Sequence, residues 1–157
     1  MNYRFALNWL RAFRVGPEAV GALYTEDFLF EDEILDARFR DKAAFGRMHA
    51  PYANTDPTNG IGIHNFQIKD YLGDETCGLI LWTWTATHCS SFLGIPTDGR
   101  TIHTDGHSWH IYENGLIKRE SAYWDPLPVL AQLGVPVGRD FAPQSVWPFT
   151  LSNEVAA

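Results

Sequence analysis

Residues 101–125, TIHTDGHSWHIYENGLIKRESAYWD, constrain the fold more than any other stretch of the chain. They form two runs rich in β-branched and aromatic residues, and Asn114 and Gly115 lie between them. Asn-Gly flanked by such runs is the strongest short-range signal for a β-hairpin. The sequence therefore predicts two long antiparallel strands joined by a tight turn, and a sheet that continues on either side of them.

Each of these strands has one face suited to a buried polar site, because side chains alternate along a strand. One face of the first strand carries His107, Trp109 and Ile111, and the Trp and Ile predict that this face points to the interior. In the second strand Tyr123 is in phase with Asp125. A histidine and an aspartate on paired strands of a curled sheet can lie close together, so His107 and Asp125 form a candidate acid/base pair.

The remaining chain reads as helices first and strands afterwards. Apolar spacing and end signals predict helices over residues 3–13, 18–24, 41–49 and 126–133. Strands are predicted over residues 27–32, 64–71, 78–88, 101–112 and 116–125. This order indicates an α+β fold, in which a curved antiparallel or mixed sheet wraps around the N-terminal helices as a cone with an apolar interior.

The size of the chain predicts one domain. A chain of 157 residues can bury about two-thirds of its unfolded surface, and 45% of its residues are apolar against 20% charged. We therefore expect a single domain over residues 1–157, in which residues 135–157 are a C-terminal extension. Because this extension contains Phe141, Trp147 and Phe149, we expect it to be packed against another surface.

Charge and cysteine content exclude several classes of function. Twelve basic against nineteen acidic residues give a net charge of -7, and no Lys/Arg cluster is present to contact phosphates, so nucleic-acid binding is disfavoured. No apolar run has membrane-spanning length and no apolar signal core begins the chain. With only Cys77 and Cys89, a disulfide framework is not indicated, and the sequence predicts a cytoplasmic protein.

The aromatic content of 14%, with six Trp, has two interpretations that the sequence leaves open. The rings either fill a bulky core or line a cavity for a mostly apolar ligand. Strand phase places Phe30 with Asp32, and Trp82 with Trp84. If a cavity is present, the candidate substrate-binding residues are Phe30, Trp82, Trp84, His88, Trp109 and Tyr123.

The polar candidates also have structural alternatives. Asp125 precedes Pro126, which is a good helix-capping arrangement, so a proton shuttle and an N-cap are about equally supported. Asp32 ends a strand, where acidic residues are usually solvated, although its phase with Phe30 turns it inward. His88 either projects into the cavity or bonds a loop carbonyl, and Tyr123 either binds a substrate oxygen or belongs to the core.

The histidine spacing does not predict a metal site. His107 and His110 point to opposite faces of a strand, whereas His103 and His107 are about 13 Å apart at a rise of roughly 3.3 Å per residue. No phosphate-binding loop, nucleophile elbow or His-Glu-x-x-His sequence is present either. We therefore expect neither a metal nor a cofactor.

Several segments resemble SnoaL-like polyketide cyclases of the nuclear-transport-factor-2-like superfamily, which also contains ketosteroid isomerase, limonene epoxide hydrolase and scytalone dehydratase. The resemblance covers residues 7–134 and is strongest from His88 onward. Its motifs are THC at residues 87–89, FLGIPTDGR at 92–100, His107, NGLI at 114–117, YWD at 123–125 and QLG at 132–134.

The resemblance implies a cone-shaped α+β barrel, usually dimeric, with a cofactor-free pocket. Asp125 matches the aspartate that shuttles the proton in the aldol closure of the cyclases, and His107 matches a histidine of the preceding strand. The pair Glu31-Asp32 resembles the strand end that carries the base of ketosteroid isomerase, so Asp32 is a further catalytic candidate. The Arg and second Asp of the epoxide hydrolases are absent from residues 106–109.

These observations predict a cofactor-independent acid/base enzyme, a cyclase, isomerase or dehydratase/lyase, with Asp125, His107 and Asp32 as catalytic residues. Its substrate would be a hydrophobic, oxygenated, aromatic or polycyclic small molecule, and its partner a second copy of the chain. The alternative is a non-catalytic small-molecule-binding or partner-docking module of the same fold. An exposed apolar outer sheet face and an Asp125 turned to solvent would favour that alternative.

Overall fold

The computed structural model describes residues 2–136, which form four helices, a short 3-10 helix and eight strands. The helices are α1 (Tyr3–Val15), α2 (Pro17–Gly21), α3 (Lys42–His49), the 3-10 helix (Ala50–Ala53) and α4 (Pro126–Gln132). The strands are β1 (Tyr24–Asp32), β2 (Ala37–Phe39), β3 (Ile61–Gly73), β4 (Cys77–Cys89), β5 (Ser91–Phe92), β6 (Ile95–Pro96), β7 (Ile102–Glu113) and β8 (Leu116–Trp124).

The N-terminal helices are delimited by local signals in the sequence. The Asn2 side chain accepts a hydrogen bond from the Phe5 amide at 3.1 Å and so caps α1, and Gly16 ends the helix at a φ of 133°, which favours glycine. Asp41 caps α3 in the same way, through the Ala44 amide at 2.8 Å. The buried face of α1, formed by Ala6, Trp9, Leu10 and Phe13, packs into the concave side of the sheet.

The main sheet is mixed and has the strand order β2-β1-β8-β7-β4-β3. All its pairings are antiparallel except that of β1 with β8, which is parallel. Register shifts interrupt the β1–β8, β3–β4 and β7–β8 ladders. Because such bulges bend strands and increase their twist, they help the long strands to curve around α1 and α3.

The register between β4 and β7 decides which face of the hairpin is interior. Trp82 lies opposite Gly106, and Trp84 lies opposite Thr104. Direct cross-strand partners project to the same face, so the even-numbered residues of β7 share the interior with the two Trp side chains. A Cβ atom at Gly106 would collide with the Trp82 ring, and glycine is therefore the residue that lets this indole lie flat on the sheet.

The α+β fold, the curved sheet and the order of the predicted elements are confirmed. The sequence prediction missed β2 and the small β5–β6 hairpin, which are too short to show an alternating pattern. Most of the predicted extension, residues 137–157 with Phe141, Trp147 and Phe149, lies outside the described residues. Within residues 2–136, no helix combines the length and apolar character needed to cross a membrane.

Candidate active site

A cavity of about 130 Å³ lies between the helices and the interior face of the sheet. Its wall is mainly aromatic, formed by Trp9, Phe13, Phe30, Tyr52, Phe66, Trp82, Trp84, Phe92 and Trp124. Leu35 and Leu93 also line the cavity and are exposed, so they mark its mouth. The aromatic residues therefore form a true cavity and not only a filled core.

Asp32 is the acidic residue at the end of β1, and it lines this cavity. Its Oδ1 atom accepts hydrogen bonds from the Ile34 and Leu35 amides, both at 3.0 Å, and its Oδ2 atom accepts one from Trp124 Nε1 at 3.3 Å. Burial raises the pKa of Asp32 above its usual value, although these three donors oppose the shift. The carboxylate is thus held in place and made a stronger base than a solvated aspartate.

A second carboxylate, Glu120 of β8, lies deeper in the cavity wall and is fully buried. His110 Nε2 is 3.6 Å from Glu120 Oε2, and the Tyr24 hydroxyl donates a hydrogen bond to the same oxygen. Trp9 Nε1 donates in turn to the Tyr24 oxygen at 3.0 Å. Burial alone would raise the pKa of Glu120, but the electrostatic interaction with the neighbouring His110 and the hydrogen bond from Tyr24 outweigh it and lower the pKa.

Two further polar side chains line the cavity from the α3 side. His49 donates from Nδ1 to the Phe45 carbonyl at 3.1 Å, and burial lowers the pKa of its imidazole, so the ring is neutral and Nε2 carries no proton. Burial, together with the charges of Asp32 and Glu120, raises the pKa of Tyr52 to about 12. Its hydroxyl is therefore protonated at neutral pH and can donate a hydrogen bond.

The prediction that His107 and Trp109 face the interior is wrong. Both lie on the outer face of β7, because the even-numbered residues of that strand are interior. The His107 ring stacks on Tyr123, with centroids 5.3 Å apart, and Tyr123 is itself 39% exposed. Trp109 is 38% exposed, and the Cζ atom of Arg119 lies 5.6 Å from the centroid of its ring. None of these three candidates lines the cavity.

The predicted pairing of Asp125 with His107 across a cavity is also not found. Asp125 is exposed and is the N-cap of α4, where its Oδ1 atom accepts from the Leu127 amide at 2.9 Å. Of the two interpretations left open by the sequence, the helix cap is the one that the geometry supports. The backbone carbonyl of the same residue accepts from Thr104 Oγ1 at 2.6 Å, which fixes the end of β8.

The capping geometry leads to a stability prediction. Asp125→Ala is expected to lower the free energy of unfolding by about 1 kcal/mol, because it removes the acceptor at the N-cap of α4. Asp125→Asn is expected to have a much smaller effect, since asparagine caps helices about as well as aspartate. Urea denaturation of the three proteins measures this difference, and equal losses in both variants would contradict the capping role.

His88 does not project into the cavity either. Although it is in phase with Trp82 and Trp84, its φ of 58° is left-handed, and the strand no longer alternates at this point. The His88 side chain is exposed, with Nδ1 3.0 Å from Thr87 Oγ1, while Cys89 takes the buried position. A left-handed residue at the end of a strand is not readable from the alternation pattern.

Phe30, Asp32, Trp82 and Trp84 line the cavity, so the positions expected for them agree with the structure, and their functional roles stay predictions. Sequence reasoning missed His49, Tyr52, Ser108, His110 and Glu120. The phase of Trp82 and Trp84 is the signal for three of these residues: with both Trp interior, the pairing of β4 with β7 and of β7 with β8 places Ser108, His110 and Glu120 inside.

The charge of the cavity wall is one-sided. Asp32 and Glu120 line it, whereas no Lys or Arg from residues 2–136 does. Among these residues, no group of three or more His, Cys, Asp or Glu side chains is arranged to hold a metal ion. The chemistry available in the wall itself is therefore proton transfer by carboxylates and imidazole, with hydroxyl and indole groups as hydrogen-bond donors.

Known structures share the fold at low sequence identity. A Catenulispora acidiphila DSM 44928 protein with a ketosteroid isomerase-like fold, solved in complex with trimethylamine, is 18% identical, with 87% of this chain and 96% of that chain covered and a TM-score of 0.66. TsrD from Streptomyces laurentii is 18% identical, with 85% and 94% covered and a TM-score of 0.67. An LEH-like epoxide hydrolase of M. tuberculosis is 14% identical, with 83% and 86% covered and a TM-score of 0.59.

The family of the chain follows from its sequence as well as its fold. No curated protein matches it. The model of the SnoaL-like domain, however, matches residues 7–120, which include β1, the aromatic strand β4 and Glu120 of the cavity wall. The matched region spans most of the chain and nearly all of the site described above. The protein belongs to the SnoaL-like domain family and has the ketosteroid isomerase-like fold.

Proposed function

We propose that the protein is a cofactor-independent acid/base enzyme, a cyclase, isomerase or dehydratase/lyase, that acts on a small hydrophobic, oxygenated molecule. The observation that carries this proposal is the Asp32 carboxylate, which lies inside an aromatic cavity and has a pKa raised by burial. A desolvated carboxylate in a cleft is a recurrent feature of general bases.

The proposed reaction begins with proton abstraction. The ionised Asp32 takes a proton from a carbon next to a substrate carbonyl, which leaves a neutral carboxyl group and an enolate. The Tyr52 hydroxyl, protonated because its pKa is about 12, donates a hydrogen bond to the enolate oxygen. In the low dielectric of the aromatic cavity such a bond stabilises developing charge more than it would in water.

The fate of the enolate distinguishes the three reaction classes. Return of the proton from Asp32 to a conjugated carbon completes an isomerisation. Attack of the enolate carbon on a second carbonyl of the same molecule forms a ring, and the new alkoxide takes the proton back from the Asp32 carboxyl group. Loss of a β-hydroxyl group, which leaves as water after it receives the proton, is a dehydration. All three share the first step, and that step supplies a common assay.

The test is deuterium uptake at the α-carbon of cyclohexanone and cyclohex-3-enone in D2O, followed by proton NMR. We expect exchange above the buffer rate, and we expect that rate to rise with pH through the pKa of Asp32, because only the ionised carboxylate is a base. Since burial raises this pKa, the rise should lie above the usual range of an aspartate. Exchange at the buffer rate at every pH would contradict the proposal.

A binding or docking module remains the second candidate, because two observations favour it. Asp125 faces solvent. The outer face of the paired strands β7 and β8 also exposes Trp109 on β7 and Tyr123 on β8. Exposed aromatic residues on a sheet face are typical of protein interfaces. This candidate predicts saturable ligand binding in the cavity without any proton exchange.

We also propose that the occupant of this outer face is a second copy of the chain. The face carries Trp109 and Tyr123 together with His107 and Arg119, and aromatic and arginine side chains are enriched at protein–protein interfaces. Analytical ultracentrifugation should give a dimer for the wild type and a monomer for Tyr123→Asp. A monomeric wild type at micromolar concentration would contradict this proposal.

The proposed location is the cytoplasm. Cys77 and Cys89 are both free thiols, which suits a reducing compartment. Cell fractionation with thiol labelling checks this, and recovery of the protein in an oxidising compartment would contradict it.

A further inference from the structure

We infer that the substrate of this site is a single-ring molecule without negative charge, smaller than a bicyclic or polycyclic compound. The inference rests on the proposed function, since it names the substrate class of the same cavity, but it concerns binding and can be tested without turnover. Three features of the cavity carry it: its volume, the packing that fixes its wall, and the sign of the charges that line it.

The volume is that of one ring. The cavity measures about 130 Å³. An apolar cavity of roughly 150 Å³ is filled by a single benzene molecule, whereas pockets for drug-sized ligands measure about 300–1,000 Å³. One six-membered ring with a small oxygen substituent therefore fits, and a fused second ring has no room inside the wall.

The wall is fixed by packing that does not yield without loss of other contacts. Trp82 lies on Gly106, whose missing Cβ is what admits the ring, and its Nε1 atom donates to Ser108 Oγ at 3.2 Å. Trp84 packs against Phe92, with ring centroids 5.0 Å apart, and donates from Nε1 to His64 Nδ1 at 3.2 Å. Each indole is held by a hydrogen bond and by a ring contact or a close backbone, so a movement of either ring that enlarged the cavity would break these contacts.

The charge of the wall excludes anions. Asp32 and Glu120 line the cavity, and no Lys or Arg among the described residues is present there to pair with a carboxylate or phosphate. A buried anionic ligand would have no counter-charge and would be repelled by both carboxylates. The ligand therefore carries no negative charge, and its oxygen can accept a hydrogen bond from the Tyr52 hydroxyl.

The mouth is the place where a second ring would meet resistance. Leu93, on the turn between β5 and β6, and Leu35, on the turn after β1, both line the cavity and are exposed. Phe92 lies next to Leu93, and the centroid of its ring is 6.2 Å from that of Trp124. A bicyclic molecule would extend into this rim, and Phe92 is thus the residue that limits ligand length.

A matched series of alcohols and acids tests the inference. Binding of benzyl alcohol, 2-naphthalenemethanol and benzoate is measured by titration in protein-observed NMR. We expect benzyl alcohol to bind with saturation, and 2-naphthalenemethanol and benzoate each to bind at least tenfold more weakly. In a roomy apolar site the naphthalene compound would bind more tightly because it buries more apolar surface, so the reverse order is diagnostic. Equal or tighter binding of either competitor overturns the inference.

Phe92→Ala is a second test, in which the affinity for the larger ligand is expected to increase. Removal of this ring opens the mouth, and we expect the affinity for 2-naphthalenemethanol to rise at least tenfold while that for benzyl alcohol stays within threefold. Leu127→Ala, on an exposed side chain outside the cavity wall, is the matched control and is expected to change neither affinity. If Phe92→Ala does not fold, Phe92→Leu replaces it. No gain in a folded variant overturns the role of Phe92 as the limit.

The experiment separates this inference from the proposed function. The same titrations are made on Asp32→Asn, which retains the size of the cavity. If the wild-type protein shows no α-proton exchange but binds benzyl alcohol more tightly than 2-naphthalenemethanol, the proposed function is wrong and the size inference stands. If exchange is present and the naphthalene compound binds best, the size inference is wrong and the proposed function stands.

Discussion

Asp32→Asn is expected to lower the rate of α-proton exchange by a factor of about 10²–10⁴, which is the usual contribution of a general base. Asparagine has the same shape, and its side-chain oxygen can still accept from the Ile34 and Leu35 amides, so the turn after β1 is retained. The amide nitrogen cannot accept from Trp124 Nε1 and cannot take a proton from the substrate. Melting temperature and exchange rate are measured on the same samples. Relative to the wild type, Asp32→Asn should show a small change in melting temperature and a large loss of exchange rate.

Two other variants make this result specific. Glu33→Gln removes the same charge one residue further along the chain, at an exposed position, and is expected to leave the rate unchanged. Asp125→Asn is expected to retain the rate as well, because Asp125 caps α4 and lies outside the cavity wall. If Asp125→Asn abolished exchange and Asp32→Asn did not, the interior site described here would not be the catalytic one.

Glu120→Ala is expected to give the largest loss of stability, about 1–3 kcal/mol in the free energy of unfolding, because it removes a buried carboxylate that accepts a hydrogen bond from a buried hydroxyl. The buried Tyr24 hydroxyl would then lose the oxygen that accepts its hydrogen bond, and the buried His110 would lose the carboxylate that lies 3.6 Å from its Nε2 atom. A buried hydroxyl without an acceptor adds a desolvation penalty. Equilibrium urea denaturation measures the difference from the wild type.

The controls for this prediction differ in which part of the interaction they retain. Glu120→Gln keeps a side-chain oxygen that can accept from Tyr24, and it should lose less stability than Glu120→Ala. Glu26→Ala removes a carboxylate from an exposed ion pair with Lys42, and it is expected to cost less than about 1 kcal/mol. A loss of similar size in Glu26→Ala and Glu120→Ala would show that the buried carboxylate contributes no more to the free energy of unfolding than an exposed one.

The buried pair also implies a pH dependence of stability. The pKa of Glu120 in the folded protein is lower than its ordinary value, because the opposing contributions of His110 and Tyr24 exceed that of burial. Its contribution to stability is therefore fully present above the unfolded pKa and is lost as the pH falls through the folded pKa. Asp32 acts with the opposite sign, since its pKa is raised, and its ionisation reduces stability as the pH increases.

The position of Asp125 and His107 outside the cavity has a single structural origin. Along β7, both faces carry aromatic and polar residues, so alternation alone does not distinguish inside from outside. The sequence predicts an interior position for Trp109 and Ile111, whereas Trp109 is exposed and Ile102 and Tyr112 are buried. A shift of one residue in phase moves every side chain of a strand to the other face, and the candidate pair moved with it.

The amino-acid sequence alone determined the elements of this protein, because their signals are local. The Asn-Gly turn, the caps at Asn2 and Asp41, and the glycine and proline at the end of α1 each act within a few residues. Their order was enough to indicate an α+β fold with a curved sheet. It was also enough to bring Asp32 and the Trp pair of β4 to the interior, because β1 and β4 have one clearly apolar face.

Only the tertiary structure decided which residues meet in the site. His49 comes from α3 and Tyr52 from the 3-10 helix, while Glu120 comes from the far strand β8, and no local pattern relates the three. Their meeting depends on the register of β4 against β7 and of β7 against β8, which fixes the interior face over the whole hairpin. Register is a property of paired strands, and it depends on long-range contacts such as that of Trp82 with Gly106, which a single strand cannot encode.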